Sequence, residues 1–463
     1  MHRKYVKWFL PLALACAAAP VLAQNVFRGV ASTADGYGTY DADMIDLENV
    51  TQTGHGVYVA VLDSGLAPNW KDYFPAARIS EKLGKGFVQP VSFKAFNDRC
   101  GFGVTTGQLR ETTFVGSRGT EHGTHVTSTI LGFFYRSNFD AASGFSIPAL
   151  MVRGIAPDVT IIPVKVLADY QIPELPLCDD PEISTASQLA VFGTDDMITA
   201  GIDYVTDLAI AGYRPMVINM SLGGAALSAS EQAALDRAIA NGVIVVASAG
   251  NEGDDGMGFP GAYAPVISVA AAGWNNAWVD PDVTQIYRMF WLQNGNDFVP
   301  PLFADGGDVP EPTPVVAGFL NSAAYIADFS SRELAGQQLD LAAPGVWIRG
   351  PFAGFPGYSH LPWWSKGLGD LISAANPGNF FYVSGTSMAS PHTAAVAALM
   401  LEKNPSLTQA QVEAILKATA LPIPPGFGGD VNITGNFTDP QVWGANATGS
   451  GLVQADAAIA ATP

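Results

Sequence analysis

Short, almost uninterrupted apolar runs recur along the chain at residues 57–62, 160–167, 216–220, 243–247 and 266–271. Each is closed by small or polar residues. Runs of this length that do not alternate in polarity predict parallel strands buried on both faces. Between them lie stretches with helical spacing: 230–241, opened by Ser228-Ala-Ser-Glu231 as a candidate capping box, 408–418, and a run compatible with a helix over 125–134. Strands alternating with helices predict an α/β protein built on a parallel sheet. In such sheets the working groups gather at the carboxyl ends of the strands. That draws attention to Asp63, which ends the first run, and to Asn251, which follows the run at 243–247.

A third position stands out near the carboxyl end. Gly385-Thr386-Ser387-Met388-Ala389-Ser390-Pro391-His392 is a small-residue turn that puts one serine at the mouth of an Ala-rich helical stretch. A serine hydroxyl is a weak nucleophile, so a catalytic reading requires a base and an acid to orient it. Asp63 can supply the acid. The base can be either histidine of Gly119-Thr120-Glu121-His122-Gly123-Thr124-His125, and spacing alone leaves both open. Taken singly, each residue has an ordinary structural role, as a helix cap or turn residue. The sequence around Ser387 is also one residue away from the G-x-S-x-G elbow of another hydrolase fold. That fold needs its acid and then its histidine after the serine, and only His392 follows, in the same predicted helix.

The segments "VAVLDSGL", "HGTHV", "VINMSLGG", "SAGNEG" and "GTSMASPH", in this order, closely resemble the signatures of the subtilisin-like serine proteases, the subtilases. The resemblance implies the subtilisin fold, a mostly parallel sheet of about seven strands with helices on both faces. It implies a secreted serine endopeptidase acting on polypeptides, with Ser387 as nucleophile, His122 rather than His125 as base, Asp63 as orienting acid and Asn251 as oxyanion donor. It places the pocket for the residue before the scissile bond between Ser221, Leu222, Gly223 and Ala249, Gly250, with its floor near Gly258-Phe259-Pro260. Such a pocket would be roomy and uncharged, favouring a large apolar residue before the scissile bond, whereas Glu252 at its rim would admit a basic one; the sequence leaves both open. A base of ordinary acidity would lose activity as pH falls through about 6.5.

Composition narrows the partners. The chain has 463 residues, 48% of them hydrophobic and 14% charged, with a net charge of −19. The basic footprint of a nucleic-acid binder is absent, and a monomer that does not span a membrane is expected. Residues 1–23, basic and then apolar up to Val21-Leu22-Ala23, read as a secretory signal peptide. An amino-terminal arm, 24–50, and a peptidase domain, 51–463, follow, with inserted loops near 85–118, 168–185, 274–322 and 351–378. So short a spacing between Ala23 and Asp63 suggests folding without a large propeptide. In an oxidising compartment Cys100 and Cys178 would pair as a disulfide. No cofactor is required for the chemistry. The metal content is open: structural calcium is a family expectation, with Asp41, Asp43, Asp46, Asp254 and Asp255 as available oxygens. A non-catalytic scaffold with a blocked cleft and a narrow processing protease are the alternative functions.

Overall fold

The computed structural model describes residues 29–96, 101–116, 121–135, 150–173, 188–275, 324–352, 380–431 and 437–463. The expected signal peptide, Cys100, Cys178 and nearly all of the loops at 274–322 and 351–378 lie outside them.

The central sheet has nine strands. In chain order they are β1 (Tyr58–Asp63), β2 (Lys85–Val88), β3 (Arg110–Thr112), β4 (Thr160–Lys165), β5 (Met216–Met220), β6 (Val243–Ser248), β7 (Ile267–Trp274), β8 (Ala324–Ile326) and β9 (Leu341–Pro344). The spatial order is β8-β7-β6-β5-β1-β4-β2-β3, with β9 also on β7. Strands β2, β4, β1, β5, β6, β7 and β9 run parallel, while β3 and β8 are antiparallel additions. All five sequence-predicted strands are present within a few residues of their expected bounds.

Alternation along each strand divides the apolar side chains between two layers, because successive residues point to opposite faces. Val59, Val61, Val217, Ile244 and Val246 belong to one buried cluster. Ala60, Leu62, Ile218, Val245 and Ala247 belong to the other. After a short α1 in the arm (Tyr40–Asp43), helices α2 (Glu121–Leu131) and α5 (Thr386–Lys403) cover the first face; α3 (Asp195–Ile210) and α4 (Ala229–Ala240) cover the second. Helix α5 is buried almost all round, which explains why its sequence shows so little polar periodicity.

Several expectations are refined. Helix α2 already includes Glu121, earlier than predicted, and ends at Leu131, where Gly132 takes a positive φ of 76° and the chain turns into a short strand, Gly132–Tyr135. Ser228 accepts from the Glu231 N–H at the start of α4, while the reciprocal capping box forms at Thr408 and Gln411, ahead of α6 (Gln409–Thr419). Two segments expected as loops carry hairpins, Val91–Ala95 with Phe102–Thr106 and Ala168–Ile172 with Gln188–Phe192. Phe93, Phe102, Tyr170 and Phe192 join them, with Tyr170 and Phe192 stacked at 4.3 Å.

The arm is part of the core. Tyr40, Ala42, Ile45 and Leu47 are buried. Asp41 meets His392 of α5 at 3.1 Å, and Glu402 at the far end of α5 accepts from the backbone of Thr53 and Gly54. Burial disfavours the charged Asp41 carboxylate, but the hydrogen bond and charge of His392 outweigh that and hold its pKa below the ordinary value.

Candidate active site

The strand order changes direction at β1: β4, β2 and β3 lie on one side of it, and β5, β6 and β7 follow in chain order on the other. A crevice forms at such a point beyond the carboxyl ends of the strands. Asp63 is the last residue of β1, Ser221 follows β5 and Asn251 follows β6, so the topology delivers all three to one edge of the sheet.

Asp63 is fully buried. Its Oδ1 accepts from the Ser64 N–H at 2.6 Å and faces His122 Nδ1 at 2.8 Å, with Oδ2 at 3.0 Å from the same nitrogen. Since a carboxylate only accepts, Nδ1 carries the hydrogen and Nε2 is left as the basic nitrogen. Gly123 explains the glycine after the histidine: a Cβ there would lie 2.4 Å from the Gly65 carbonyl oxygen and 3.1 Å from Asp63 Oδ1. Burial works against protonation of His122, but the charge of Asp63 and its hydrogen bond outweigh it, so the pKa is raised above the ordinary 6.5. His125 points elsewhere. It is buried, with Nε2 on the Ile348 carbonyl at 3.0 Å, and geometry thereby separates the two histidines that spacing did not.

Ser387 is the second residue of α5, where backbone N–H groups have no partner within the helix and the helix dipole is positive. The Thr386 N–H and hydroxyl both donate to Asn251 Oδ1 at 2.9 Å. A backbone N–H can only donate, so this contact fixes which end of the amide is oxygen and leaves the exposed Asn251 NH₂ to donate outward. The Ser387 hydroxyl donates to the Ser221 carbonyl at 3.3 Å and makes no hydrogen bond to His122 among the described residues.

Pro391 has no N–H for the carbonyl four residues back, which is that of Ser387. The Ser221 hydroxyl takes its place, donating to that carbonyl at 2.7 Å. Behind it, buried Asn219 donates to Ser221 Oγ at 3.0 Å and accepts from Ser390 Oγ at 2.7 Å. Helix α5 and the end of β5 are thus locked together by side chains.

The predicted pocket residues also converge. Gly224 and Phe259 exchange two backbone hydrogen bonds of 2.8 Å, and the Gly258 N–H donates to the Ala249 carbonyl at 2.9 Å. A Cβ on Gly258 would sit 3.5 to 3.8 Å from Gly223 and Gly224, so the glycine keeps this end open. Glu252 is exposed, its carboxylate accepting from the Ser331 hydroxyl at 2.9 Å.

Sequence reasoning missed Ser64, Asn219, Thr386 and Lys165. The first three lie inside the quoted motifs, and Lys165 is a charge within an otherwise apolar strand. Of the acidic residues considered for calcium, Asp41 is engaged with His392 and Asp254 is exposed at 4.0 Å from Arg332; among the described residues no group of three or more His, Cys, Asp or Glu converges.

A mostly parallel α/β sheet with a buried aspartate, its histidine and a helix-N-terminal serine at one edge is the construction of a serine endopeptidase of the subtilisin type. The family model described as "Subtilase family" matches residues 54–449, and the chain belongs to that family. It is 29% identical over 388 residues to "Subtilisin" of Bacillus pumilus, covering 83% of this chain and 90% of that protein. It has the same identity over 388 residues to "Subtilisin E" of Bacillus subtilis (strain 168), covering 83% of this chain and 65% of that one. The solved "S41 Psychrophilic Protease" agrees in fold, with a TM-score of 0.50 at 22% identity, covering 91% of this chain and 99% of the other.

Proposed function

We propose that the chain is a secreted endopeptidase that cleaves polypeptides through Asp63, His122 and Ser387, with Asn251 as an oxyanion donor. The observation that carries this reading is the buried Asp63 carboxylate on His122 Nδ1, which leaves Nε2 as the basic nitrogen.

In the first step Ser387 Oγ turns from the Ser221 carbonyl toward His122, a rotation about one single bond between staggered positions. It attacks the scissile carbonyl carbon as Nε2 takes its proton. The carbonyl π electrons move onto oxygen, where the Asn251 NH₂ and the Ser387 N–H at the helix N-terminus stabilise the negative charge. Collapse of this intermediate expels the amine, which receives the proton from Nε2. Water, deprotonated by the same nitrogen, then releases the acyl group and restores Ser387. These steps are those of the general serine-protease mechanism, for which subtilisin is itself a reference case.

The glycines at 223, 224 and 258 and the absence of a charge on residues 221–224, 249–250 and 258–260 favour a large apolar residue before the scissile bond. Extended backbone at Ser221–Gly223 would pair with the substrate as an added strand. Secretion rests on the signal-like residues 1–23.

Peptide hydrolysis kinetics test this reading. Asn251→Ala lowers kcat by about 10²- to 10³-fold with KM little changed, a magnitude established on subtilisin and carried over from it. No cleavage of unfolded protein by the intact enzyme, or full activity in the variant, contradicts the assignment. The pH profile gives a second test. Because neutral His122 is the active form and its pKa is raised, kcat/KM climbs with pH and levels off above an acid limb that lies higher than 6.5. A profile that is flat from pH 5 to 8 removes His122 from the mechanism.

A further inference from the structure

Lys165 is the last residue of β4 and the register partner of Asp63 on β1. It is only 8% exposed, unusual for a lysine, which is seldom buried unless partnered. Its Nζ donates to the Ser64 carbonyl at 3.0 Å and to the Leu167 carbonyl at 2.7 Å. The turn after Asp63 stands directly on its stem: a Cβ on Gly65, which has a φ of 85°, would lie 3.2 Å from Lys165 Cβ.

That turn joins the two proposed catalytic groups. The Ser64 N–H binds Asp63 Oδ1, Ser64 Oγ accepts from the Gly123 N–H at 2.9 Å, and the Ser64 carbonyl takes the ammonium. One residue thus touches the acid, the helix turn that carries His122, and Lys165. The charged groups acting on the ammonium are Asp169, beyond the end of β4, and Asp63; burial lowers its pKa and these two carboxylates oppose that. His122, on α2, feels Asp63 in turn.

We propose that Lys165 is a positioning residue for the Asp63–His122 pair: its ammonium fixes the Ser64 peptide and offsets part of the negative charge with which Asp63 stabilises the imidazolium. The proposal rests on the triad reading above. Two consequences follow. Without the ammonium the Ser64 joint loses its support, and His122 and Asp63 shift relative to the nucleophile; displacements of this kind near 1 Å cost up to about 10²-fold in rate. Without its charge Asp63 acts on His122 unopposed, and the imidazolium persists to higher pH.

The test is steady-state peptide hydrolysis across pH for the full chain and its Lys165→Met, Lys165→Gln and Lys165→Arg variants, with folding checked by circular dichroism. Lys165→Met is expected to lower kcat by about 10- to 100-fold with KM within about twofold, and to move the acid limb to higher pH. Lys165→Gln, which keeps a donor but no charge, moves the limb in the same direction and carries the test if the Met variant does not fold. Lys165→Arg keeps the charge and leaves the limb at its wild-type position. Wild-type kcat and an unmoved acid limb in the Met or Gln variant would overturn the proposal, as would an Arg limb displaced like that of Gln. Failure of the triad reading is distinguishable, since it would appear as full activity in His122→Ala with Lys165 intact.

Discussion

Ser387→Ala lowers kcat by about 10⁶-fold and leaves substrate binding nearly intact, a magnitude known for subtilisin itself and transferred from that relative. The hydroxyl is a small group at the mouth of α5, with one hydrogen bond among the described residues, of 3.3 Å to the Ser221 carbonyl. Removing it breaks no buried network, because the links from Ser221 to the Ser387 carbonyl and from Asn251 to Thr386 use other atoms. Thermal unfolding of the variant should therefore match that of the parent within the range of a surface substitution, about 0.5 kcal/mol. Measuring kcat and unfolding on the same preparation separates the loss of a nucleophile from loss of fold.

Asp63→Asn lowers kcat by about 10⁴-fold, the cost found for the equivalent change in another serine protease. The geometry explains why so conservative a change is so damaging. Asp63 Oδ1 faces two donors, the Ser64 N–H and His122 Nδ1. In the amide, the oxygen must stay with the Ser64 N–H, which can only donate, and the NH₂ turns to Nδ1. Nδ1 then has to accept, so the hydrogen moves to Nε2 and the nitrogen that should take the serine proton is already protonated. The acid limb set by Asp63's charge should shift downward in the same variant, since the negative charge that raises the His122 pKa is gone. A pH series of residual activity reads both effects.

The five strands that carry the site were legible because burial on both faces demands uninterrupted apolar runs, and Asp63 and Asn251 were found as the residues that follow such runs. Ser387 and His122 came from their local motifs. Strands such as Ala324–Ile326 and Leu341–Pro344 are too short and Ala-rich to announce themselves. The hairpin at Val91–Ala95 alternates between half-buried and exposed positions, and what covers it, Tyr170 and Phe192, lies far along the chain. No local pattern reports such a partner. The same holds for the arm: Asp41 reads as a solvated acid, and only the fold brings it to buried His392. Lys165 shows the limit most clearly, since a lysine ending an apolar strand reads as a solubilising edge residue until β4 is placed beside β1.

The most direct test of the account is labelling of the folded protein with a serine-directed fluorophosphonate, followed by peptide mapping. A single adduct on Ser387, lost in His122→Ala and in Ser387→Ala, is the predicted result, since the reagent reacts only with a serine whose proton has somewhere to go. Folded wild-type protein that takes no label, or that takes it at another residue, would contradict the assignment of Ser387 as the activated nucleophile.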